Sequence, residues 1–66
     1  MGKVEVTFNG KVYTAKYKIN HGMVTVQTVL YGERSTQLGS LSAEWLARDL
    51  LRSLLTDARD AGLLEI

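Results

Sequence analysis

Two turn dipeptides, Asn9-Gly10 and His21-Gly22, interrupt a period-two alternation that runs through residues 1–31. A two-residue hairpin loop needs φ > 0 at its central positions, and Asn-Gly is the strongest short signal for one. The turns divide the stretch into runs around Val4–Phe8, Lys11–Ile19 and Met23–Tyr31, each rich in β-favouring residues. Hairpin arithmetic then fixes a register. The first turn sets Phe8 opposite Lys11, Val6 opposite Tyr13 and Val4 opposite Ala15. The second sets Ile19 opposite Val24, Tyr17 opposite Val26, Ala15 opposite Thr28 and Tyr13 opposite Leu30. Both turns put one mostly apolar set on the same face: Val4, Val6, Phe8, Tyr13, Ala15, Tyr17, Ile19, Val24, Val26 and Leu30. A slip of one residue would turn that whole set to water, so the agreement of two independent turns specifies the pairing.

Gly32 to Ser40 carries two Gly and several polar residues and is expected to be a loop. A helix follows. Ser42 is the expected N-cap, Glu44 suits the positive end of the helix dipole, and Leu41 can staple to Leu46. Gly62 is the expected residue just past the C-cap, with Leu63 making the accompanying apolar contact. At about 100° per residue, Ala43, Leu46, Ala47, Leu50, Leu51, Leu54, Ala58 and Ala61 form one stripe to cover the sheet. The expected fold is α+β, a two-layer β-β-β-α arrangement: a three-stranded antiparallel meander packed on one C-terminal amphipathic helix.

A chain of 66 residues is expected to form a single domain over 1–66 with a thin core, because small domains bury only about 60% of their unfolded surface. Folds of this size usually add a staple, and the absence of Cys excludes disulfides and thiolate metal sites. The one His has no neighbours at ligand spacing, so no metal and no cofactor are expected. Very good packing or self-association remains as the candidate staple. Eight Lys and Arg against seven Asp and Glu give no whole-molecule drive toward nucleic acid. Neither an export signal nor an apolar run of the ~20 residues needed to span a membrane is read, so a cytoplasmic protein with no membrane partner is expected.

Trp45 breaks the helix pattern. It points nearly opposite the Leu stripe, on the side of Arg48, Arg52, Arg59 and Leu55, while Asp49, Asp57 and Asp60 follow the other margin. Trp and Arg are the residues most enriched in interface hot spots, so Trp45, Arg48, Arg52 and Leu55 are the candidate partner-binding residues. The competing expectation, weighed ahead of this one, is that Trp45 is covered by the 32–40 loop or the C-terminal strand margin.

The outer face of the sheet is the second candidate. It is expected to carry Lys3, Glu5, Thr7, Val12, Thr14, Lys16, Lys18, Thr25, Gln27, Val29 and Tyr31. Lys3, Lys16, Lys18, Thr25 and Gln27 are of the types that contact phosphates and base edges. A three-stranded sheet backed by one helix is similar in fold order to plant AP2-type and some integrase amino-terminal DNA-binding domains. Those present such a sheet to the major groove, but the Arg and Trp residues they place on their strands are missing here, and no residue is carried over. Solvated strand faces are also ordinarily rich in Thr and Lys.

His21 is expected to serve its turn, and Arg34, Ser35 and Thr36 lie in a loop without the spacing of a phosphate-binding motif. No nucleophile lies beside a base, so the chain is not expected to be an enzyme. The expected function is a small protein-binding, accessory or inhibitory module of the phage or prophage type. Its partner is another protein or a second copy, and a nucleic-acid-binding domain is the alternative.

Overall fold

The computed structural model describes residues 2–64. Strands β1 (Gly2–Phe8) and β2 (Lys11–Asn20) pair antiparallel with Phe8 opposite Lys11, Val6 opposite Tyr13 and Val4 opposite Ala15. The loop between them has Asn9 at φ 52° and Gly10 at φ 79°, the left-handed pair that a type I′ turn demands. Strand β3 (Met23–Gln27) follows a second such turn, with His21 at φ 51° and Gly22 at φ 74°. It pairs Ile19 with Val24 and Tyr17 with Val26. These pairings are the ones the two turns dictate.

Beyond Gln27 the expected register stops. Neither Thr28 opposite Ala15 nor Leu30 opposite Tyr13 forms, because the β2–β3 ladder closes at Lys16 and Gln27. The cause is the Thr28 hydroxyl. It donates to the Gly32 carbonyl (2.6 Å) and accepts from the Tyr31 amide (2.9 Å), while the Thr28 amide also donates to Gly32 O (2.9 Å). Side-chain bonds of this local kind compete with a ladder, and here they turn the chain back.

The segment expected as a loop then forms a fourth strand, β4 (Glu33–Gln37), paired antiparallel with β3. The sheet therefore has four strands in the order β1-β2-β3-β4, one more than the meander expected from the sequence. The strand is hidden in the sequence because its inward positions are Arg34 and Thr36, opposite Val26 and Val24. Arg34 makes that placement tolerable: its guanidinium donates to Ser53 Oγ (2.5 Å) and meets Asp57 Oδ2 at 2.6 Å, so the strand is pinned to the helix.

Helix α1 (Ala43–Asp60) starts at Ser42, whose hydroxyl accepts from the Trp45 amide at 3.4 Å. It ends on Gly62 at φ 77°. The Gly62 amide donates to Arg59 O (3.0 Å) and the Leu63 amide to Ala58 O (2.8 Å), the two bonds of a Schellman cap. The apolar residue tucked beneath this cap is Leu64 rather than Leu63, which stays exposed. Leu46, Ala47, Leu50, Leu51, Leu54, Leu55 and Ala58 meet Val4, Val6, Ala15, Val24 and Val26 in one continuous core. Three residues of the expected inner set are not enclosed. Ile19 keeps the inner face, opposite buried Val24, but is exposed at the end of the sheet; Leu30 is exposed in the β3–β4 loop, and Ala61 lies past the helix in solvent.

Candidate functional site

The outer side of α1 follows from its cap. Ser42 anchors the first turn, so Trp45 is held there with 55% of the residue exposed. Neither the 32–40 segment nor a strand margin covers it. The segment forms β4 instead, and the Leu38 amide donates to Gly22 O at 2.8 Å, tying the chain to the β2–β3 turn. Leu41, immediately before the cap, is also exposed, as are Ile19 and Met23 beside the His21-Gly22 turn. Four large apolar side chains thus lie exposed at the end of the domain where α1 begins.

The Arg residues on this side are not equivalent. Arg48 lies one turn from Glu44, at 3.9 Å, a loose i,i+4 pair between exposed groups. Among the described residues Arg52 forms no ion pair. Arg59 is withdrawn from the stripe: its guanidinium lies 5.6 Å from the centre of the Phe8 ring and pairs with Asp60 at 3.5 Å. Leu55, expected among the partner-binding residues, is 0% exposed. Its position at the edge of the apolar stripe is covered by the sheet, and with Leu51 it floors a small cleft beneath Tyr13 and Tyr31. Leu55 is a core residue.

On the other side of the sheet, Lys3 and Lys16 face each other directly across β1 and β2, and Lys18 stands opposite Thr25. Thr25 and Gln27 are already engaged, Thr25 with the Ser35 hydroxyl (2.8 Å) and Gln27 with Glu33 (3.1 Å). Tyr31, expected on this outer face, is half-buried toward the core and packs edge-on against Tyr13 at 6.4 Å between ring centres. Val29 stands almost wholly in solvent at the tip of the β3–β4 loop.

Arg34 has a role that its sequence neighbourhood did not reveal. Its guanidinium pairs with the Asp57 carboxylate of the helix. The period-two spacing of Arg34 and Thr36 was present in the sequence, but without an apolar residue it gave no sign of a buried face. Among the described residues no cluster of three or more His, Cys, Asp or Glu side chains is placed to hold a metal ion. No helix among them is long and apolar enough to cross a membrane. No protein-family model, no curated protein and no solved structure matches the chain.

Proposed function

We propose that this chain is a non-enzymatic protein-binding module that engages an acidic surface of a partner through Trp45, Arg48 and Arg52. The observation that carries the reading is the exposure of Trp45 in the capped first turn of α1, where more than half of the residue's surface meets solvent. Tryptophan and arginine are among the residue types most enriched at binding hot spots, and the exposed Leu41 enlarges the apolar centre. Arg52 supplies a charge that its own helix leaves without an acidic neighbour in ion-pair range among the described residues.

A photo-cross-linking benzophenone amino acid in place of the neighbouring exposed Leu41, with Trp45 kept, should capture a discrete acidic protein. That product should vanish when Arg48→Glu and Arg52→Glu are introduced together. Capture that ignores both charge reversals, or no discrete product at all, refutes the reading. A product of twice the chain's own mass would instead identify a second copy as the partner. Nucleic-acid binding through Lys3, Lys16 and Lys18 is the second reading, supported by their convergence on one sheet face. It requires affinity for duplex DNA that falls steeply with salt and weakens in Lys16→Glu.

A further inference from the structure

We propose a second binding site: the part of β2 that β3 leaves uncovered, at Val12 and Thr14, is a receptor edge for an extended peptide bearing a small apolar residue next to a carboxylate. Strand β2 pairs with β1 along Lys11–Tyr17 but with β3 only along Lys16–Asn20. In a two-residue hairpin the residues flanking the turn exchange both backbone hydrogen bonds, and bonded pairs then alternate along the strands. Lys11, Tyr13 and Ala15 therefore bond to β1, while Val12, Thr14 and Lys16 direct their amides and carbonyls toward β3. The Asn20–Met23 closing pair of the second hairpin gives the same parity. Lys16 finds Gln27. Val12 and Thr14 find no strand, and among the described residues no hydrogen bond outside the ladders reaches them. Two donors and two acceptors are left at strand spacing, a template that only an extended main chain completes.

Both faces of this gap are hollowed. On the helix side a cleft of about 250 Å³ is walled by Tyr13, Tyr31, Leu51 and Leu55. On the outer side an open groove of about 610 Å³ is bordered by Lys3, Glu5, Lys16 and Gln27. Thr14, Thr28 and Val29 line both, so the hollows are two sides of one opening. A strand laid antiparallel along β2 would send the side chain opposite Tyr13 into the apolar cleft, and those opposite Val12 and Thr14 into the outer groove. The cleft takes a small apolar residue. In the groove, Lys3 and Lys16 are directly opposed, a like-charge arrangement that a neighbouring carboxylate relieves. Glu5, opposite Thr14 on β1, already lies diagonal to Lys16, so the groove sets two lysines against one carboxylate; a peptide Glu opposite Thr14 lies diagonal to Lys16 from the other side and stands two strands, roughly 10 Å, from Glu5.

The test uses the full chain and a fluorescein-labelled synthetic peptide, Thr-Glu-Val-Thr-Val, followed by anisotropy. Saturable binding is expected, reduced at least about tenfold by N-methylation of the peptide's second Thr, whose amide faces the Val12 carbonyl, and about fivefold by Lys16→Glu. Thr14→Pro removes only an amide aimed into the gap and keeps the β1 ladder, so it should abolish binding while leaving cooperative unfolding in urea. If that variant does not fold, the N-methylated peptide makes the same discrimination on the wild-type protein. Trp45→Ala should bind the peptide unchanged, which separates this site from the helix surface. The proposal is overturned by no saturation up to about 1 mM peptide, by equal binding of the N-methylated peptide, or by a duplex oligonucleotide displacing the peptide.

Discussion

Leu55 and Trp45 stand about 80° apart around α1, yet one is fully enclosed and the other is half open. Residue identity alone would make both of them anchors. Enclosure gives Leu55 the larger share of stability: Leu55→Ala should cost about 2–5 kcal/mol in urea unfolding, since it leaves a cavity under Tyr13 and Tyr31. Trp45→Ala should change the unfolding free energy by no more than about 1 kcal/mol, because much of the indole is already in water. Acrylamide should quench the single Trp readily in the free protein. A loss in Trp45→Ala comparable to that in Leu55→Ala would make the indole structural and remove the basis for the helix-face proposal.

At the scale of elements, two polar side chains decide what the backbone does. The Thr28 hydroxyl closes the β3–β4 loop through two hydrogen bonds, and Thr28→Val keeps the shape while removing both. That variant should lose about 1–2 kcal/mol, measured by denaturant titration, with the loop amides at 29–32 exchanging faster. Arg34 joins β4 to α1 through Ser53 and Asp57, but the ion pair is partly solvated, with side chains 38% and 60% exposed. A double-mutant cycle between Arg34→Ala and Asp57→Ala should therefore give a coupling of about 0.5–1 kcal/mol that shrinks toward about 1 M salt. A coupling insensitive to salt would mean that packing, and not charge, holds the edge strand.

The whole molecule measures 35 × 18 × 17 Å with a radius of gyration of 11.5 Å, slightly above the roughly 11 Å of a compact chain this long. The elongation comes from the stagger of its two hairpins along β2. Large apolar side chains remain exposed at both ends: Ile19, Met23, Leu41 and Trp45 where α1 begins, and Val12, Val29, Leu30 and Leu63 around the opposite turn, the β3–β4 loop and the helix end. A twofold contact whose axis passes between Arg48 and Arg52 would bring the four guanidinium groups together, so an acidic partner fits that centre better than self-pairing. Sedimentation should accordingly give a concentration-independent monomer over about 10–500 µM, a range wide enough to expose a dimer at the affinities typical of weak interfaces. Growth of a dimer over that range would restore self-association as the staple of this small fold.

The two turns and the alternation between them determined three strands, their pairing and the buried face as far as Gln27, because local backbone geometry and a period-two pattern specify a register without further help. The capped helix and most of its buried stripe were equally local in origin. The fourth strand, the inward side of Leu55, the exposure of Ile19 and the open edge at Val12 and Thr14 were decided only by tertiary structure. Each depends on a contact between distant segments, such as Arg34 with Asp57, or on one hydroxyl competing with a ladder, and neither leaves a periodic trace in the chain.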